Sequence, residues 1–282
     1  MKLSYKYSFL IIALFISSEV FSQTEKKTDA SIAPQKKFTE AIEDNSFLLE
    51  EAYNQEESVI QHIFGLMKTS TNDYLYSFTE EWPMIGQDHQ ISFTLPYSSF
   101  NEGGTNGIGD ILINYRYQLS GHDDWITTSP RLSLILPTGN VDKGLGGGVW
   151  GLQFNLPMSK RLNDYFITHI NLGFTYLPNS KTNVFNVEIK KDLLSYNYGI
   201  SLIWLASYNL NFMFEYVGGY NAGFDETGNV NHESVNIFNP GLRYAIDLNN
   251  LQIVPGLSIP ISSDNGKLKS DLFLYISFEH PL

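Results

Sequence analysis

From about Ser58 to the C-terminus the chain alternates apolar and polar residues with a period of two, in stretches of about ten residues. That single feature limits the fold more than any other. His89, Ile91, Phe93 and Leu95 alternate with Gln90, Ser92 and Thr94. Ile111, Ile113, Tyr115, Tyr117 and Leu119 share one face, and Asp110, Asn114, Arg116 and Gln118 share the other. Leu172, Phe174 and Tyr176 oppose Asn171 and Gly173, and Phe212, Phe214 and Tyr216 oppose Asn211 and Glu215. Successive side chains of a strand point to opposite sides, so each stretch reads as a strand with one apolar and one polar face.

About twelve such strands follow one another, starting near Ser58, Asp73, Asp88, Gly107, Ile126, Gly148, Asp164, Leu193, Asn209, Glu233, Asn250 and Leu268. A tilted strand needs roughly 9–11 residues to cross a bilayer, and strands of soluble domains are about half that long. Past the first residues, no apolar run reaches helix-spanning length. In lipid every backbone polar group must be paired, so a closed barrel is the one membrane fold open to this chain.

The connections alternate in the way a barrel requires. Glu81–Asp88, Ser120–Trp125, Lys160–Asp164, Ser207–Asn209 and Asp247–Asn250 are short and read as periplasmic turns. Tyr97–Gly107, Thr138–Gly148, Leu177–Asp192 and Tyr220–His232 are longer, polar and rich in Gly and Asn, and read as extracellular loops. Lys68–Asp73 and Ser263–Lys267 depart from the rule by being short. The fold class expected is all-β, a transmembrane antiparallel up-and-down barrel of about twelve strands occupying residues 58–282.

Residues 1–22 read as a cleaved signal peptide: Lys2 and Lys6, an apolar run from Phe9 to Ile16, then Val20 and Ser22 before Gln23. Residues 23–57 form an acidic periplasmic extension. In it Phe47, Leu48, Leu49, Ala52 and Tyr53 have partly helical spacing. A short helix at the barrel mouth, a plug and a mobile leader are all consistent with that stretch. The absence of cysteine excludes thiol chemistry, disulfides and a lipid-anchored N-terminus. A formal charge of −12 argues against nucleic acid as a partner.

A charge facing lipid at the midplane costs roughly 2–4 kcal/mol, so Asp110, Arg116, Arg131, Glu215 and Arg243 are expected to face the lumen. They serve either as a transverse field that selects solutes or as a structural network across a narrow barrel. Ile111, Ile113, Leu132, Leu134, Leu136, Leu172, Phe174, Phe212, Phe214 and Leu242 then face lipid. Tyr74, Tyr76, Tyr115, Tyr117, Tyr176, Tyr244 and Trp150 are candidates for aromatic girdles. The glycines at 144 and 146–148 precede a strand rather than a helix and lack a following Lys-Ser/Thr, so they read as a flexible surface loop. His62, His89, His122, His169, His232 and His280 are scattered, without metal-site spacing or a nucleophile motif. No catalytic, cofactor or metal residues are expected.

The run Gly107-Ile108-Gly109-Asp110-Ile111, then Asn114-Tyr115-Arg116-Tyr117, then Pro130-Arg131-Leu132-Ser133-Leu134-Ile135-Leu136-Pro137-Thr138-Gly139 and Trp150 resembles a known family. These are the outer-membrane proteins named for the meta-pathway of phenol degradation, often labelled transporters. The stretch from Asp44 to Glu56 with Gln61-His62 resembles the leader of one branch. The resemblance implies an outer-membrane barrel that passes small molecules, aromatic ones among them, with outer-membrane lipid and the barrel-assembly machinery as partners. The chain departs from the common C-terminal Phe by finishing His280-Pro281-Leu282, although Leu272, Leu274, Ile276 and Phe278 alternate as a last strand should. The function expected is a channel for passive passage of small solutes. A non-conducting structural or binding barrel, or an outer-membrane lipid hydrolase, is the alternative.

Overall fold

The computed structural model describes residues 46–121, 123–264 and 266–282. Within them twelve antiparallel strands form one closed sheet. The first six are β1 (Val59–Lys68), β2 (Tyr74–Pro83), β3 (His89–Ser99), β4 (Asn106–Ile108 and Ile111–Tyr117), β5 (Thr127–Thr128 and Arg131–Leu136) and β6 (Gly151–Asn163). The next four are β7 (Phe166–Val184), β8 (Val187–Leu205), β9 (Leu210–Phe224) and β10 (Val230–Tyr244, resuming as Ile246–Leu248). The last two are β11 (Leu251–Ser258, resuming as Ile261–Asp264) and β12 (Lys267–Ser270 and Leu272–Pro281). Each strand pairs with its neighbours in sequence. The ring closes between β1 and β12, in register from Val59 opposite Pro281 to Lys68 opposite Leu272. Both ends of the sheet therefore lie at one rim, called here the terminal end, and the long connections lie at the far end.

Alternation places the faces as expected. Ile113, Leu132, Leu134, Leu172, Phe174, Phe214 and Leu242 are exposed on the outside. Asn114, Ser133, Asn171, Asn211, Glu215 and Arg243 are buried on the inside of the same strands. Tyr115, Tyr117, Tyr196, Tyr198, Tyr216, Tyr244 and Trp150 add exposed aromatic surface to the outer face.

Two of the expected loops are largely strand. The stretch Leu177–Asp192 is not a loop. β7 and β8 continue as a paired ladder to Val184 opposite Val187, with a register shift near Asp192. Phe185 and Asn186 turn the hairpin with φ of 49° and 64°, the pair of left-handed residues a tight hairpin turn needs. Likewise β9 and β10 pair as far as Phe224 opposite Val230, and the Asp225 carboxylate holds the turn by accepting from Thr227 N and Asn229 N. At 19 residues each, β7 and β8 exceed what a bilayer requires. Beyond the lipid an outer face gains nothing from being apolar, so the pairing persists where the alternation stops.

The described part of the leader bears on the readings left open for it. The signal segment, residues 23–45 and His122 lie outside the described residues. Residues 46–57 contain no helix. They run as an extended, irregular strand of chain inside the barrel, and their apolar spacing serves contacts with the wall rather than a helix face.

Candidate functional site

The inner wall holds the segment of residues 46–55 by its backbone. The Glu215 carboxylate on β9 accepts from Phe47 N at 2.9 Å and from Leu48 N at 3.2 Å. Asn171 on β7 accepts from Glu50 N at 2.9 Å and donates to Glu50 O at 2.6 Å. Ser159 on β6 accepts from Ala52 N, and Gln118 accepts from Asn54 N while donating to Ala52 O. Gln90 on β3 accepts from Gln55 N at 2.6 Å. Buried backbone groups must be paired, and here side chains from around the ring do what a neighbouring strand would do in a sheet.

The wall is also shaped for the segment's side chains. A Cβ at Gly241 or Gly256 would come within 2.5 Å of the Phe47 ring, and one at Gly199 within 2.4 Å of Leu49. These glycines leave sockets in β10, β11 and β8. Phe47 fills its socket edge-on to Phe273 and Tyr275, with ring centres 5.9 and 5.6 Å away. A strand-interior glycine marks the close approach of another chain segment, and that was the one sequence signal of this packing. Asn155, Asn171, Ser159, Gln118 and Gln90 carried none, since they read only as inward polar positions.

At the middle of the segment two carboxylates meet two guanidiniums. Arg131 Nε donates to Glu50 Oε2 at 2.8 Å and Arg131 Nη2 to Glu50 Oε1 at 2.6 Å. Arg116 donates to Glu50 at 3.3 Å, to Glu51 at 3.2 Å and to Tyr53 O at 3.1 Å. Asn155 donates to Glu50 Oε1 at 2.9 Å. Arg131 also donates to Asn114, Gln153 and Ser133. Burial pushes the Glu50 carboxyl up, but Arg131 and Arg116 outweigh it and hold the group at about 2 against an ordinary value of 4.5.

Of the five lumen charges expected from sequence, Arg116, Arg131 and Glu215 converge on this segment. Arg243 is fully buried on β10 opposite Asn211. Asp110 stands apart at the far end. It accepts from Gly139 N at 2.9 Å and Gly147 N at 2.7 Å, and so ties the 139–148 connection to the wall. A Cβ on Gly146 would lie 2.3 Å from Asp110 Oδ1. The glycine-rich stretch is therefore a folded-in loop and not a flexible surface one. Leu145 at its tip is buried inside the mouth, at 2% exposure.

Between the segment and this loop lies a cavity of about 370 Å³. Leu48, Leu49, Glu50 and Glu51 line it from the segment, and Leu145 and Gly146 from the loop. One side is polar, with Arg131, Asn114, Gln153 and Asn155. Towards the far end Leu112, Ile135, Leu177, Leu193 and Ala222 make it apolar. That apolar zone departs from the polar inner face expected from alternation. Ile135 and Leu193 face inward beside outward Leu134 and Leu194, so the sequence shows an unbroken apolar run there.

Ser159 Oγ lies 2.6 Å from His169 Nδ1, the one pairing among the described residues that suggests hydrolytic chemistry. Both residues are fully buried in the wall, and Ser159 Oγ already accepts from Ala52 N. Among the described residues no group of three or more His, Cys, Asp or Glu gathers as metal ligands would.

No protein-family model and no curated protein matches the sequence. Solved structures do match in shape. An outer-membrane channel from Pseudomonas putida F1 superposes with a TM-score of 0.61 at 12% identity, over 81% of this chain and 96% of that one. The NanC porin superposes with a TM-score of 0.52 at 9% identity, over 79% of this chain and 100% of that one. At such identities the likeness is one of fold: this chain has the closed antiparallel barrel of outer-membrane channels.

Proposed function

We propose that the protein is an outer-membrane channel for small solutes, with residues 46–55 as a plug that closes its lumen. The observation that carries this is the 370 Å³ cavity inside the ring, bounded by the segment on one side and by the Leu145 loop on the other. A barrel serving only as scaffold would fill that space with side chains, as small barrels do. Passage through the barrel needs the plug to leave its bed or shift within it. The outward apolar belt and the shared fold support a location in the outer membrane; on this reading the terminal end is periplasmic, and the sequence of residues 1–22 supports export.

The resemblance to the phenol meta-pathway family supports small aromatic or hydrophobic molecules among the solutes, and so does the apolar far end of the cavity. Once the plug is displaced, Arg116, Arg131, Glu215, Arg243 and Asp110 are among the charges that set ion preference, together with Glu81 on the cavity wall. One specific observation favours a second reading, a closed binding barrel. The wall pairs most backbone N–H groups from Phe47 to Gln55, which makes the docked state costly to leave.

Single-channel conductance of the refolded mature protein, with and without residues 23–57, decides between them. The channel reading expects low or intermittent conductance from the intact chain and steady conductance after truncation. Silence from both forms, with folding confirmed by heat-modifiable gel mobility, would sink it and leave the binding barrel.

A further inference from the structure

The Glu50 carboxylate lies on the wall of the cavity. It receives two hydrogen bonds from Arg131, one from Arg116 and one from Asn155, so both oxygens are held in a fixed orientation. A planar guanidinium meeting a carboxylate at two points is the standard means of recognising that group. The carboxylate is also open to the cavity. The Glu50 side chain keeps 28% exposure, against 4% and 11% for the two arginines that hold it. A purely structural pair would be expected in the dry wall, and the backbone of the segment is anchored by Glu215, Asn171, Ser159 and Gln118 without it.

The other partners of Arg131 are neutral. Among the described residues Glu50 is the only acid that pairs with it. From this point the cavity runs towards Leu112, Ile135, Leu177 and Leu193. A molecule with its acid group on Arg131 would lay its remaining atoms against those side chains. The volume lies at the small end of the range for ligand sites, roughly 300–1,000 Å³, and suits a one-ring acid.

We infer that Arg131, with Arg116 and Asn155 beside it, is a binding site for the carboxylate of a small organic acid with an apolar body, and that Glu50 occupies it while the plug is docked. The inference rests on the reading of the barrel as a solute channel, and it names the class of solute. An arriving acid competes with Glu50 for Arg131 and so loosens the plug from the cavity side, coupling the solute to its own passage.

The test uses benzoate as probe, benzyl alcohol as its uncharged counterpart, and the refolded full chain. Glu50→Gln keeps the side-chain shape and removes the competing charge. Calorimetry should show benzoate binding Glu50→Gln at least tenfold more tightly than wild type, with benzyl alcohol unchanged. Adding Arg131→Gln should return benzoate to the affinity of the alcohol. Equal benzoate affinity in wild type and Glu50→Gln, or an equal gain for the alcohol, overturns the site. Should the variants not refold, the wild-type chain serves: benzoate, and not benzyl alcohol, should speed cleavage after Glu50 and Glu51 by a glutamyl endopeptidase. No acceleration overturns it equally. Conductance of the same preparations keeps the two ideas apart. Benzoate binding without conductance leaves the site and removes the channel, and conductance without a benzoate preference does the reverse.

Discussion

Glu50 on the inner segment and Arg131 on the barrel wall meet at two points, 2.6 and 2.8 Å, although 81 positions separate them in sequence. The pair locks the centre of the inner segment, and its loss has a calculable effect. Breaking one side of a buried ion pair costs about 3–5 kcal/mol. Because Glu50 faces the cavity, Glu50→Gln should lie at the lower end of that range. Backbone amides of residues 47–55 should then exchange with deuterium faster by about two orders of magnitude. Exchange in β6 to β9 should stay as slow as before. Unchanged exchange in the segment would show that its backbone bonds alone hold it.

The same pair makes docking sensitive to acid. Glu50 is held at about 2 when docked and returns towards 4.5 when released. A depressed value means that the stabilisation is complete above the released value and is lost as pH falls from 4.5 towards 2. The gap is worth about 3 kcal/mol in all. Conductance should therefore rise as pH falls below 4.5. In Glu50→Gln that acid-dependent rise should be smaller, leaving the part owed to Glu215, which also holds Phe47 N and Leu48 N.

Gly256 tests the socket without touching a charge. A Cβ there comes within 2.5 Å of the Phe47 ring and meets the Arg243 Cβ only at 3.4 Å. Gly256→Ala should push Phe47 off Phe273 and Tyr275 while leaving the wall in place. Overpacking of this kind costs roughly 1–3 kcal/mol. Trypsin digestion followed by mass analysis should show the barrel intact. Conductance should rise in the same variant, and conductance equal to wild type would place Phe47 outside the closing device.

The fold was legible because its main signal is local. A period-two pattern needs only neighbouring residues, and it located β1, β2, β3 and β11 to within a residue of their first positions. It weakened where the outer face meets water instead of lipid, which is why the upper halves of β7 and β8 read as loop. The inward direction of Arg116, Arg131, Glu215 and Arg243 followed from the cost of a charge in lipid. Their partners did not, because Glu50 and Glu51 lie in a stretch whose composition says only that it is polar and acidic. Nothing in one dimension shows that Asn171 is placed to bind both the N–H and the C=O of Glu50. Even Gly241 and Gly256 reveal a close approach without naming what approaches.

Asp110 governs the opposite end. Its two hydrogen bonds from Gly139 and Gly147 join a carboxylate to backbone amides, and bonds to a charged group contribute roughly 1.5–3 kcal/mol each. Asp110→Ala should free the 139–148 loop and draw Leu145 out of the mouth. Trypsin should then cut after Lys143 at least tenfold faster than in wild type. Gly146→Ala should give the same result from the other side of the contact, since its Cβ would overlap the carboxylate.

Leu172 separates a membrane barrel from a soluble one with the same ring of strands. It projects outward from β7 at 50% exposure, next to inward Asn171, and pairs with Leu156 and Tyr198 on the neighbouring strands. In water, Leu172→Arg would be close to neutral or mildly stabilising, since an exposed leucine gains nothing from solvent. In a bilayer the same change puts a guanidinium near mid-depth and costs roughly 2–4 kcal/mol. Reversible unfolding in urea from phosphatidylcholine vesicles should show that loss as a lower midpoint with an unchanged slope. Leu248→Arg, at the terminal rim, is 51% exposed and should cost no more than about 1 kcal/mol, because the penalty falls towards the interface. Equal and small effects at both positions would mean that the outer face meets water, and the membrane reading would fall with it.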